Sequence, residues 1–187
     1  MSPGVLSRFI TGALLLVCGS SHAATPPVPN TGNGTVQYAF TPGNRADAMI
    51  IAAIASARRQ VLVQAYSFTH RRIAEALVSA RNRGIDVAMI ADHEQTRSNA
   101  STVIRNITQS GVPVLLDSLH TAAHNKVIVI DAGDADCAVV TGSYNFTYNA
   151  QHRNAENVVI LRGNPPLCAA FRDNWLHHKA HSIPHQR

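Results

Sequence analysis

Apolar, β-rich runs alternate with segments of helical periodicity, and that alternation constrains the fold more than any other feature of the chain. Residues 35–40, 60–66, 85–90 and 112–116 read as strands. Between them, 45–58, 70–83 and 95–109 read as helices. In the first of these Met49, Ile50, Ala53 and Ile54 recur at helical spacing, and in the second Ile73, Leu77 and Ala80 share one face. Gly84 stands where a helix C-cap requires positive φ. Two more apolar runs, 126–130 and 138–141, flank Asp131-Ala132-Gly133-Asp134-Ala135-Asp136, a turn-rich linker that predicts a hairpin. A strand at 157–161 follows. Pro165-Pro166 then opens a helix with Leu167, Phe171, Trp175 and Leu176 toward the core. Strands separated by helices bury one sheet between helical layers, so the expected class is α/β with helices on both sheet faces.

The N-terminal residues stand outside this pattern. Arg8 precedes an apolar stretch, 9–17, that is too short to span a bilayer, and Ser21-His22-Ala23 has the small residues of a cleavage site. Residues 1–23 therefore read as a signal peptide and 24–34, rich in Pro, Thr, Asn and Gly, as a flexible leader. A domain over 35–180 and a His-rich basic tail over 181–187 complete the organisation. The expected location is the periplasm or the exterior, with no integral membrane segment in the mature chain; a buried N-terminal helix or an uncleaved anchor is the alternative. Export would let Cys137 and Cys168 form a disulfide, and two buried thiols are the equal alternative. A formal net charge of +5 favours polyanionic partners, although charge this dispersed also serves plain solubility. At 5% aromatic residues the chain lacks the material for an extended base-stacking platform.

Three short segments carry chemistry. His124, Lys126 and Asp131 form a single His-x-Lys-x-x-x-x-Asp arrangement, followed by Thr141-Gly142-Ser143-Tyr144-Asn145 and by Asn154-Ala155-Glu156-Asn157. Phosphodiester hydrolysis without a metal needs a nucleophile, positive charge and donors for the non-bridging oxygens, and an acid for the leaving alkoxide. Imidazole serves as nucleophile or as acid near neutral pH, but one ring cannot be both in one step. On a strand His124 and Lys126 point to the same side, with Asn125 and Val127 opposite, and Ser143 and Asn145 are spaced likewise. The hairpin can bring these pairs together as a phosphate pocket. Glu156 is the expected partner of the far nitrogen of His124. Asp131, at a strand end, reads as a structural residue bonding the backbone of the loop.

These motifs resemble the phospholipase D superfamily, and within it the small single-motif bacterial endonucleases of the Nuc type. Ala65-Tyr66-Ser67-Phe68-Thr69, Arg83-Gly84-Ile85-Asp86-Val87, Ser110-Gly111-Val112-Pro113 and Gly142-Ser143-Tyr144-Asn145-Phe146-Thr147 extend the resemblance over about residues 36–175. It implies a mixed sheet flanked by helices, a covalent phosphohistidine on His124, and phosphate binding by Lys126, Ser143 and Asn145. Asp131 and Gly142 are then structural parts of the motif. It also implies no cofactor, no metal, and a homodimer that places two HxK pairs at one site. The interval from Asp131 to Gly142 is longer than the family's, and the extra residues fall in the hairpin turn.

The resulting expectation is a nonspecific endonuclease acting on DNA first and RNA second. A phospholipase D acting on phosphatidyl headgroups or cardiolipin is the alternative, and a nucleic-acid-binding module with a decayed site is a third reading. No amphipathic membrane-binding stripe is evident in the sequence. His177, His178 and His181 suggest a metal cluster, but no Cys or acidic residue accompanies them at helical ligand spacing, so they read as a solvated helix end. His70, His93, His120 and His152 receive no role.

Overall fold

The computed structural model describes Met1, residues 33–98 and residues 102–186. The signal-peptide segment and most of the leader lie outside the described residues. The elements are β1 (Thr35–Thr41), α1 (Ala46–Ala55), β2 (Gln60–Ala65), α2 (Arg71–Asn82), β3 (Asp86–Asp92), α3 (His93–Ser98), α4 (Thr102–Gln109), β4 (Val114–Asp117), β5 (Lys126–Ile130), β6 (Ala138–Gly142), α5 (Tyr148–His152), β7 (Glu156–Arg162), α6 (Pro165–His181) and β8 (Ile183–Pro184).

One eight-stranded sheet runs in the order β1-β7-β6-β5-β2-β3-β4-β8. β2, β3 and β4 are parallel, as helical crossovers require, and the remaining pairs are antiparallel. The sheet is thus mixed, with helices on both faces. On one face Ile50, Ile54, Ile73, Leu77, Ile104 and Ile107 of α1, α2 and α4 meet Val61, Val63, Met89, Ile128 and Ile160. On the other, Cys168 and Trp175 of α6 cover Leu62, Ile90, Val127, Val129 and Val139. The Trp175 indole N–H donates to the Val63 carbonyl at 2.9 Å, which satisfies its one polar atom in the core.

Several local expectations change. The helix expected over 95–109 is two helices, α3 starting at His93 and α4 at Thr102. Leu176 is 46% exposed rather than packed, because the buried stripe of α6 runs through Cys168, Phe171 and Trp175 at three- and four-residue spacing. The short helix α5 was not read from the sequence; Thr147 caps it by accepting from Ala150 N. The tail joins the fold: α6 continues to His181, and Ile183–Pro184 pair with β4.

Cys137 and Cys168 are disulfide-bonded, with Cα atoms 6.4 Å apart. The bond ties the first turn of α6 to the residue that precedes β6. Asp131 has φ +50°, and its carboxylate accepts from the backbone N–H groups of Arg58, Arg59 and Gln60, each at 2.8 Å. It is a structural residue, but the backbone it chiefly fastens is the α1–β2 turn rather than its own loop. The additional turn residues Asp134 and Asp136 pair with Arg59 and Arg58. They lie at the far end of β5 from His124, about 17 Å along a five-residue strand, so the longer hairpin loop is remote from the HxK pair.

Candidate active site

The first residue of β5, the last of β6 and the first of β7 meet at one end of the sheet, where β2, β3 and β4 also finish. The β5–β6 register, Ile130↔Ala138 and Ile128↔Val140, leaves Lys126 and Gly142 at that same end. Gly142 has φ +145°, and a Cβ there would overlap the carbonyl oxygen of Asn157, so only glycine lets β6 approach β7 this closely. That approach delivers Ser143 to Asn157, whose backbone N–H donates to the Ser143 hydroxyl at 3.1 Å. Tyr144 and Phe146 are buried and alternate with Ser143 and Asn145, placing the latter two on the opposite side of the segment. Phe146 is held by Thr69 and His70, whose N–H groups donate to its carbonyl oxygen at 2.9 Å.

His124 is exposed, whereas Lys126 is buried at 7% accessibility and faces the side of the sheet covered by α1 and α2. The Lys126 ammonium donates to the His124 carbonyl oxygen at 2.6 Å and lies 2.9 Å from His124 Nδ1. A lysine ammonium only donates, so Nδ1 accepts and the neutral ring carries its proton on Nε2. Burial lowers the Lys126 pKa, and the negative charge of Glu156 partly restores it. Tyr66, the residue after β2, packs its ring 4.3 Å from the His124 ring and lies under the Lys126 ammonium at 4.9 Å.

Glu156 was expected to bond His124. It instead accepts from the Ser143 hydroxyl at 2.6 Å and from the Asn154 amide at 3.0 Å. β6 lies between β7 and β5, so Ser143 meets the carboxylate first. The side-chain oxygen of Asn145 is buried without a hydrogen-bond partner among the described residues. The structure thus gathers His124, Lys126, Ser143, Asn145 and Glu156 at one sheet end, and leaves Asp131 at the other.

Three residues to which the sequence assigns no role also shape the site. Tyr66, directly after β2, packs against the His124 ring on the neighbouring β5 segment. Asn154 holds Glu156. Asp92, buried at the end of β3, accepts from Ala123 N at 2.8 Å and Gln95 N at 2.7 Å, and so pins the segment that leads into His124. The His-rich helix end is not simply solvated: His178 and His181 turn inward and bond the buried Asp117, which His120 also reaches. His177 alone is exposed as expected.

An exposed imidazole beside a buried cation, with a hydroxyl and a side-chain amide at the same sheet end, has the groups that phosphodiester hydrolysis calls on. The family model described as cardiolipin synthase, PLD-like domain, matches residues 50–179. A phospholipase D of Rickettsia typhi is 32% identical over 158 residues, spanning 84% of this chain and 74% of that protein. Nuc of Salmonella typhimurium, a phospholipase D family member, superposes with a TM-score of 0.78 at 33% identity over 83% of this chain and all of Nuc. NucT of Helicobacter pylori gives 0.72 at 26% identity over 82% of this chain and all of NucT. The chain belongs to the phospholipase D superfamily, whose members are phosphodiesterase hydrolases.

Proposed function

We propose that the chain is an exported, metal-independent endonuclease, cleaving DNA first and RNA second through a phosphohistidine on His124 at a site shared by two copies. The observation that carries this reading is the pairing of an exposed imidazole with a buried ammonium. Phosphate oxygens draw the Lys126 ammonium away from Nδ1, which frees the ring to hold its proton there and attack phosphorus through Nε2. The P–N bond forms as the P–O bond to the leaving nucleotide breaks. The departing alkoxide takes a proton from His124 of the second copy. Water then attacks phosphorus, giving its proton back to that ring, and the P–N bond breaks. The Asn145 amide donates to one non-bridging oxygen, the Ser143 hydroxyl turns its one proton from Glu156 to another when substrate binds, and Glu156 sustains the Lys126 cation.

Nucleic acid is favoured by what flanks the site. Next to Phe146 a cavity of about 430 Å³ is lined by Arg45, His70, Arg71, Arg72 and His152. Asp47 engages Arg45 and Arg72, leaving the flank cationic on balance. No described helix is long and apolar enough to cross a membrane. An apolar strip of Val36, Tyr38 and Phe40, all more than half exposed, lies along β1, which ends opposite Glu156. A second copy seated near the site would cover it. The disulfide fits an oxidising compartment. The names of the Rickettsia relatives favour phospholipid as the second reading.

Offering the protein plasmid DNA, RNA, phosphatidylcholine vesicles and cardiolipin vesicles in parallel, with EDTA present, decides between the two. Nicking of DNA that persists in chelator and weakens steeply as salt rises is the expected result, since phosphate contacts release counterions. Cleavage of lipid with nucleic acid untouched establishes the phospholipase reading. Complete loss in EDTA with recovery on Mg²⁺ contradicts the imidazole mechanism.

A further inference from the structure

We propose that Asp117, His120, His178 and His181 form a structural site for a divalent transition-metal ion, Zn²⁺ foremost, that fastens the end of α6 to the segment leading into His124. One ligand atom from each of the four residues lies within 4.8 Å of all the others. His178 Nδ1, His120 Nδ1 and His181 Nε2 stand 2.9, 3.0 and 3.2 Å from the same carboxylate oxygen of Asp117. Ligand atoms in a tetrahedral zinc site are separated by about 3.3 Å, given zinc–ligand bonds of about 2.0–2.1 Å. The four atoms therefore need only small shifts to surround an ion.

The donor set selects the metal. Three imidazoles and one carboxylate suit Zn²⁺ and neighbouring first-row ions, whereas Ca²⁺ and Mg²⁺ demand oxygen ligands. The surroundings also call for positive charge. The Asp117 side chain is fully buried, and among the described residues only its Oδ1 receives backbone N–H groups, from Leu119 and His120. Oδ2 faces three rings whose centroids lie 4.9–5.4 Å apart. One dication satisfies that oxygen and all three ring nitrogens together. His177, next to this group in sequence, takes no part.

The position suggests what the ion does. Asp117 ends β4, His120 lies in the β4–β5 connection, and His178 and His181 occupy the last turns of α6. The disulfide already holds the first turn of that helix, so the ion would clamp its other end. From His120 the chain reaches His124 in four residues. Across the sheet, Lys126 pairs with Ala65, Ala65 with Ala91 and Ala91 with Leu116. Three strand spacings amount to about 14 Å, too far for the ion to touch a phosphate at His124. A chelator should therefore lower stability without entering the chemistry.

The test is metal titration of chelator-treated full-length protein, using Zn²⁺ and Co²⁺ alone as probes. Expected are one ion per chain by calorimetry, visible Co²⁺ absorption of tetrahedral intensity, and a melting temperature raised by several degrees with Zn²⁺. Binding should weaken as pH falls and the imidazoles protonate. His120→Ala, a loop change that leaves the core intact, should weaken binding at least ten-fold; His178→Ala should abolish the Co²⁺ band; His177→Ala should change neither. The proposal is overturned if Zn²⁺ leaves melting unchanged, if Co²⁺ stays octahedral, or if His120→Ala binds as tightly as the wild type. Turnover below the melting temperature that survives chelation keeps the ion structural, and turnover that tracks Zn²⁺ occupancy overturns that role.

Discussion

His124→Ala is expected to lower turnover by a factor on the order of 10⁴ or more, since removing a covalent nucleophile leaves only binding and electrostatic stabilisation. His124 is exposed, and the buried Lys126 ammonium that loses its ring nitrogen keeps the backbone carbonyl of residue 124, so melting should change little. Nucleic-acid binding should survive, because the cations that contact phosphate remain. That separation of binding from turnover excludes a module that only binds. Rapid quench of the wild type with labelled substrate in alkaline denaturant should capture label on His124, stable to base and released by acid. An inactive variant that has lost binding in proportion would place His124 in recognition rather than chemistry.

Lys126→Met is expected to reduce turnover by about 10²–10³-fold, the loss typical of one donor to a developing oxyanion. Its effect on stability should be small or favourable. Burial holds the Lys126 pKa below its usual 10.5, which means that folding disfavours the cation. The sign follows: the charged form costs stability in full below the folded pKa, and the cost is relieved as pH rises from the folded pKa to the usual 10.5. A methionine of similar length removes the cost at neutral pH, at the expense of the bond to the His124 carbonyl. The same depression predicts an alkaline limb of activity that begins below the range of an ordinary lysine. Lys126→Arg keeps its charge to higher pH and should move that limb upward whatever its peak rate. A Lys126→Met enzyme with wild-type turnover would remove the cation from the mechanism.

Period-two and period-3.6 patterns are local, and what depends on them was legible. Ser143 and Asn145 alternate with buried Tyr144 and Phe146, Gly84 takes positive φ after α2, and the two apolar runs around Asp131 form the hairpin. Elements too short for a period were not legible: α5 has five residues, and β8 has two, one of them proline. Partnerships made by tertiary structure were also hidden. Asp117 and His178 are 61 residues apart, and the acidic ligand sought along the helix comes from β4 instead. One signal was available: His178 continues the Cys168, Phe171, Trp175 stripe at helical spacing, which places a histidine on the buried face of α6. The Glu156 carboxylate likewise follows from strand order, since β6 must be known to lie between β7 and β5 before Ser143 becomes its partner.

Mixed dimers test the shared-site mechanism most directly. With one HxK pair per chain, the proposed mechanism takes one imidazole to attack phosphorus and a second to protonate the leaving oxygen, and a two-fold dimer would supply both. Heterodimers of wild-type and His124→Ala chains, separated by differential tags from both homodimers, are to be assayed on plasmid DNA in EDTA. The account predicts that the purified heterodimer is nearly as inactive as the variant homodimer. A heterodimer that keeps about half the wild-type rate would show that each chain works alone, and would contradict it.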